Sequence, residues 1–237
     1  MNSSLYEAAT IILPLIFAIV FHEVAHGMVA RMLGDHTAAE RGRLSLNPLR
    51  HVDPFGTIVL PGMLALAHMP VFGWAKPVPV DYARLRNPKR DMALVGAAGP
   101  ASNFVLAALS AVAIGLMIRA IGPGGVPGPI AMFVLRNLGN FILFNCSLGL
   151  FNLLPIPPFD GSRVLRGILP WSGARLLDRI EPYGIMVLLV ILVVVPQIFP
   201  SLQHLIDHVL LPPRDWLLDH LAGFITWVAG PAGAPTT

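Results

Sequence analysis

Hydrophobic and polar positions divide this chain into long apolar stretches joined by short basic loops. Leu5 to Leu33 is apolar enough to predict a helix that crosses a bilayer with some tilt, since about 20 apolar residues suffice. Met92 to Ala120 and Ile130 to Leu154 predict two further full spans, separated by the uncharged, turn-rich connector IGPGGVPGP. Tyr183 to Phe199 is a fourth apolar segment. Ser201 to Ala229 mixes His204, Asp207, His208, Asp215, Asp219 and His220 with leucines and tryptophans, a pattern open to both a span and an interfacial helix.

The stretch between the first two spans is different. After Gly34 comes HTAAERGRLSLNPLRHVDP, in which Arg41, Arg43 and Arg50 surround an alternating patch that predicts short strands. Phe55 to Phe72 is apolar again but is broken by Pro61 and Gly62, and both of its flanks are basic. A full crossing would put Lys and Arg on both sides of the membrane, against the positive-inside rule, so a re-entrant hairpin turning near Pro61 is expected. Backbone that is not helical at that depth needs protein or a water-filled cavity around it. The expected fold class is thus an all-α polytopic membrane protein with a small β or re-entrant element between the first and second full spans. One membrane-embedded domain is expected over residues 1–237, with its core at 5–180 and C-terminal membrane or interfacial segments at 183–230. Solenoid-period repeats are absent from the sequence.

Composition strengthens the membrane reading. Of the 237 residues 55% are hydrophobic and 12% charged, with a mean hydropathy of +0.69, against roughly 25% charged in ordinary soluble domains. The Lys and Arg residues are spread over several loops rather than gathered in a nucleic-acid-binding arm. None precedes Arg31, so the first segment is expected to remain as a helix rather than be removed as a signal peptide. The single cysteine, Cys146, excludes an intrachain disulfide and is expected to pack as a small apolar residue. Counting the basic loops as cytoplasmic puts the amino terminus outside, with residues 22–26 and Asp160 toward the cytoplasmic side.

The chemistry is concentrated in FHEVAHG. On a helix, His22 and His26 lie on one face a turn apart, so two imidazoles can grip one zinc ion, while Glu23 can reach a zinc-activated water as general base. Three ionisable groups inside an apolar span cost several kcal/mol, about 2.5 to 3.5 per charged group on insertion scales, which a site justifies better than packing does. Catalytic zinc takes three protein ligands plus water, and Asp160, ending the helix-stopping run NLLPIPPFDG, is the candidate third ligand; the other reading of Asp160 is a helix cap. Gly96 and Gly99 point to close helix packing. His204, Asp207 and His208 have the spacing of a second triad, and the reading there is an interfacial helix.

HEVAH in the first span, GPASN in a middle one, and Asn152, Pro155, Pro158, Asp160 and Gly161 spaced as N-x-x-P-x-x-P-x-D-G resemble the three signatures of site-2 proteases, the intramembrane zinc metalloproteases. RGRLSLNP and GWAKPVPV are similar to compact bacterial members, without room for a PDZ-like or nucleotide-sensing domain. The resemblance implies one zinc ion per chain on His22, His26 and Asp160, Glu23 as catalytic base, and Asn103 and Asn152 near the scissile peptide. It also implies a transmembrane protein or peptide as substrate and the bilayer as the working environment, with an unwound substrate adding along the PVPV edge or the hairpin. Pro77 and Pro79 offer no ladder donors for that edge. For Asn103 and Asn152, hydrogen bonding between helices is the alternative role. Rival functions are a metal or proton transporter, which would spread its ionisable residues over several spans, and a zinc-binding scaffold, which would have no use for Glu23.

Overall fold

A computed structural model of the chain describes residues 3–66, 73–190 and 200–233. Among the described residues three helices are long and apolar enough to cross a membrane: α1 (Ser3–Met32), and, after the loops between them, α4 (Pro88–Ile121) and α5 (Pro129–Asn152). At 1.5 Å per residue they measure about 45, 51 and 36 Å, each beyond the roughly 30 Å hydrocarbon core. Their apolar outer faces are left exposed, as lipid contact requires: Ile11, Ile12, Phe17, Val105, Leu109 and Leu116 all point away from the protein. α1 and α5 run the same way and α4 runs against them, since Tyr6 meets Phe133 near the starts of α1 and α5 and Asn140 Nδ2 donates to Thr10 O at 2.6 Å.

Pro129 opens α5 at the position where a missing N–H costs nothing, and Pro88 does the same for α4. After α5 the prolines at 155, 157 and 158 prevent the helix from continuing, and the chain turns into α6 (Asp160–Ile168). A Cβ on Gly161 would collide with the Leu153 carbonyl oxygen and lie 2.5 Å from that of Leu154, so glycine lets the new helix start against the old one. α7 (Trp171–Ile180) and α8 (Gly184–Leu189) follow. The rest of the fourth apolar segment, 191–199, lies outside the described residues.

The tail forms α9 (Pro200–Ala229). Its second half runs along α4 and α5 rather than away from them: Leu217, Leu218, Leu221 and Ile225 pack on Ala107, Ala111, Ile114, Ile142 and Cys146. Gly115 lets it approach closely, because a Cβ there would meet Val228 at 2.6 Å. Cys146 is fully buried in this cluster, as a small apolar residue. The side chains of His204, Asp207 and His208 lie outside the described residues.

The connection from α1 to α4 departs from expectation. Past the short α2 (Thr37–Glu40), the patch read as strands is a turn followed by a 3₁₀ turn at Pro48–His51, and no strand occurs among the described residues. Asn47 caps the 3₁₀ turn by accepting from Leu49 N–H, and Pro48 suits its first position. Residues 73–80 have no regular secondary structure and build no ladder. Pro77 and Pro79 have no N–H to give, Arg43 takes the carbonyls of Lys76 and Pro77 at 2.7 and 3.3 Å, and a carboxylate of α1 takes the N–H of Val78.

The apolar segment between them starts as a π-helical turn (Pro54–Val59) and continues as α3 (Leu60–Leu66). It comes back to where it began: Trp74 N–H donates to Gly56 O at 3.1 Å, and Thr57 Oγ1 donates to Trp74 O at 2.9 Å. Gly56 is required there, since any Cβ would collide with the Trp74 indole.

Candidate metal centre

The centre forms where the second half of α1, the first half of α4 and the start of α6 meet. His22 and His26, one turn apart on α1, present their rings edge to face with centroids 4.6 Å apart. Asp160, the first residue of α6, reaches both: its Oδ2 lies 3.0 Å from His22 Nε2 and 3.1 Å from His26 Nε2, and the two Nε2 atoms are 3.1 Å apart. All three side chains are buried, each 5 or 6% exposed, so no bulk water screens them. The cap position of α6 falls to Phe159 without a side-chain hydrogen bond, so the helix-cap role for Asp160 is not taken.

Each group is held from behind. His26 Nδ1 lies 2.6 Å from Val95 O, and a backbone carbonyl only accepts, so Nδ1 carries the hydrogen and Nε2 the lone pair. His22 Nδ1 lies 2.6 Å from Asn103 Oδ1, with the same consequence. Arg163 Nη1 donates to Asp160 Oδ1 at 3.0 Å, leaving Oδ2 to face the imidazoles. Between the two acceptors on α4 sits Gly99, where a Cβ would collide with His26 Nε2 and stand 2.6 Å from His22 Nε2. Gly96, a turn away, touches the start of α6: its Cβ would come 3.0 Å from Arg163 Cβ and 3.1 Å from Asp160 O. Both glycines thus allow close packing, and Gly99 packs against the histidines themselves.

Three electron-pair donors therefore converge with no hydrogen between them when the imidazoles are neutral. Two nitrogen lone pairs and a carboxylate oxygen within 3.1 Å of one another repel unless a cation sits among them. Their near-equilateral triangle is close to one face of a zinc tetrahedron, whose edge is about 3.3 Å for bonds of about 2.0 Å. His22, His26 and Asp160 are thus a group able to hold a metal ion. Borderline-soft imidazole with one carboxylate, and three ligands rather than four, fit a catalytic zinc site.

Glu23 stays out of that triangle. It is half-buried, and its Oε2 accepts the Val78 N–H at 2.8 Å. Of the two expected amides, Asn103 is fully buried and occupied at both ends, its Nδ2 donating to Asn145 Oδ1 at 2.7 Å. Asn152 Nδ2 donates to Leu148 O in its own helix at 3.0 Å. The sequence reading missed Val95, Asn145 and Arg163. Val95, Gly99 and Asn103 recur at i, i+4 and i+8 on α4, a stripe that a helical reading of GPASN and its upstream turn could have exposed.

Comparison with known proteins agrees with this chemistry. Residues 10–195 match the profile of peptidase family M50. "Putative zinc metalloprotease YwhC" of Bacillus subtilis is 37% identical over 189 residues, covering 77% of this chain and 80% of that protein. "Putative zinc metalloprotease Rip2" is 29% identical over 181 residues in Mycolicibacterium smegmatis and 30% identical over 175 residues in Mycobacterium tuberculosis H37Rv. Those alignments cover 75 and 73% of this chain but only 64 and 62% of the Rip2 proteins, so the chain spans less than two thirds of them. No solved structure matches. With the profile running across most of the chain and through all three converging side chains, the protein belongs to peptidase family M50, the site-2 protease family.

Proposed function

We propose that this chain is an intramembrane zinc metalloprotease that hydrolyses peptide bonds in or beside the transmembrane segments of membrane-protein substrates. His22, His26 and Asp160 hold the zinc, and Glu23 is the general base. The observation that carries the reading is the buried triangle of two imidazole lone pairs and a carboxylate oxygen, with Glu23 next to His22 in sequence and outside the triangle, held through one oxygen by the Val78 N–H. When bound, zinc supplies Lewis acidity that activates water and polarises the scissile carbonyl. Glu23 Oε1, the oxygen not engaged by Val78, takes a proton from the attacking water and returns it to the leaving amine nitrogen. The Val78 N–H, donated to Oε2, aims the carboxylate. Arg163 keeps Asp160 turned toward the imidazoles, and Asn103 orients His22. Asn152, at the end of α5, is the amide we assign to the substrate backbone.

A membrane substrate is supported by the exposed apolar faces of three long helices around a centre held between them. The cytoplasmic side is supported by charge: of the 16 Lys and Arg, all but Arg119, Arg136 and Arg214 lie at the end where α1 stops, α4 starts and α6 follows α5. The joined ends of the segment from Gly56 to Trp74 support its being a re-entrant hairpin on that same side.

Purified in detergent, the wild type should carry about one zinc per chain. Glu23→Gln should keep that zinc while cleavage of a membrane-embedded reporter, read by mass spectrometry of the fragments, falls by roughly 10²- to 10⁴-fold. Equal cleavage by both forms at equal zinc content would remove Glu23 from the mechanism.

A further inference from the structure

The hydrogen bond that sets the His22 tautomer does not end at Asn103. Phe141 O, a backbone carbonyl on α5, only accepts, and Asn145 Nδ2 donates to it at 2.8 Å. That bond fixes which end of the Asn145 amide faces α4: its Oδ1, which accepts from Asn103 Nδ2 at 2.7 Å. Asn103, whose Nδ2 also makes a longer contact with Ala18 O at 3.4 Å, is thereby turned so that its own Oδ1 faces His22 Nδ1 at 2.6 Å. Both asparagines are fully buried, so no water can substitute for either partner. An amide alone can face an imidazole either way round. Turned the other way, Asn103 would offer an N–H to His22 Nδ1, move the ring hydrogen to Nε2, and block the lone pair that a metal needs.

We propose that Asn145 is a positioning residue that acts through Asn103 to hold His22 in the metal-binding tautomer. This rests on the zinc-protease reading and extends it to a residue on α5 that touches neither metal nor substrate. The relay runs from Phe141 O through Asn145 and Asn103 to His22, joining all three spanning helices, so the ligand is set by the packing of the bundle. Partners behind a metal-bound histidine typically change affinity by 10- to 100-fold when removed.

The test compares three variants of the full-length protein in detergent, reading zinc affinity by chelator competition and the His22 tautomer by ¹⁵N NMR of the zinc-free, histidine-labelled protein. Asn145→Leu keeps the volume and removes the nearer acceptor of Asn103 Nδ2, leaving only the long contact to Ala18 O at 3.4 Å, so Asn103 can flip: zinc should bind 10- to 100-fold more weakly, with the His22 hydrogen moving toward Nε2. Asn145→Asp is the rescue. Burial favours its neutral form, which can accept from Asn103 and donate to Phe141 O as asparagine does, so affinity should return to within about threefold of wild type. Asn137→Leu removes an α5 amide that, among the described residues, bonds Phe133 O of its own helix, and it should leave both readouts unchanged. Wild-type affinity and tautomer in Asn145→Leu would overturn the proposal while leaving the zinc reading intact. Equal weakening in the Leu and Asp variants would also overturn it, as a packing effect. Failure of the wild type to bind zinc would instead defeat the parent reading.

Discussion

Replacing Gly99 with alanine tests the centre without relying on activity. The added Cβ would stand 2.5 Å from His22 Cε1 and 2.6 Å from His22 Nε2, and would collide with His26 Nε2 as well. Ordinary contact begins near 3.5 Å, so both rings would have to withdraw by about 1 Å. Metal–ligand distances tolerate only about 0.2 Å. Overpacking of this kind costs about 1 to 3 kcal/mol. If the rings stay, that strain appears as lost stability; if they move, it appears as lost affinity, about 5- to 150-fold at 1.4 kcal/mol per tenfold. Zinc retained after dialysis against graded chelator, together with a melting curve in the same detergent, reads both outcomes. Gly96→Ala should do less to zinc, because its Cβ meets Arg163 Cβ and Asp160 O at 3.0 and 3.1 Å and α6 need yield only a few tenths of an ångström. Gly62→Ala, with nothing within 4 Å, should do nothing. Wild-type affinity and wild-type melting in Gly99→Ala would refute the packing of both imidazoles against this glycine.

Other expectations follow from other contacts. Arg43→Ala should free residues 76–78 and lower reporter cleavage about tenfold at unchanged zinc content, since the Val78 N–H that aims Glu23 hangs on the two carbonyls Arg43 holds; unchanged cleavage would detach that segment from catalysis. Asp35, fully buried just past α1, resists ionisation through its burial, yet bonds from Thr37 N–H and Oγ1 and from Asp81 N–H more than offset this and hold its carboxyl below the usual range. Its contribution is therefore full above its unfolded pKa of about 3.9 and fades as pH falls through the lower folded value. Melting of wild type against Asp35→Ala should differ by about 2 to 4 kcal/mol at pH 7, and the gap should narrow in acid as the ionised form is lost; a gap unchanged in acid would contradict the linkage. Single cysteines at the exposed Leu49 and Arg86, in a Cys146→Ala background, should label from the same side of the membrane; opposite sides would make the Phe55 to Phe72 segment a full span.

How much of this was legible in the sequence depended on whether a feature was local. His22, Glu23 and His26 could be placed because four-residue spacing on a helix is a fixed geometry, and the three spans could be placed because length and apolarity suffice. Asp160 was legible through its setting, three prolines and a glycine that force a turn at the end of an apolar helix. The strands were misread because alternation reports only which faces are apolar, whereas a ladder needs partners with free backbone donors and acceptors: in the neighbouring stretch Pro77 and Pro79 have no N–H, and Arg43 takes the carbonyls of Lys76 and Pro77. For Asn103 the reading found the residue and left its role open. Asn145 was invisible for a different reason: α5 carries four asparagines, at 137, 140, 145 and 152, and composition treats them alike.

What separates those four is where the helices meet. Asn137 and Asn152 bond their own helix, Asn140 bonds α1 near its start, and only Asn145 reaches α4 at the level of the histidines. That level is fixed from α4, whose stripe of Val95, Gly99 and Asn103 offers an acceptor, an empty space and a second acceptor on successive turns. Two imidazoles spaced one turn apart on α1 need such a backing: each Nδ1 must find an acceptor behind it, and the gap between the acceptors must admit both rings. A side chain at residue 99 would fill the gap, and a helix rotated by one residue, about 100°, would carry both acceptors away. The ligand motif on α1 therefore specifies a matching periodicity on its neighbour, and it is this match between helices, rather than either sequence alone, that turns three polar side chains inside an apolar bundle into a centre able to hold a metal.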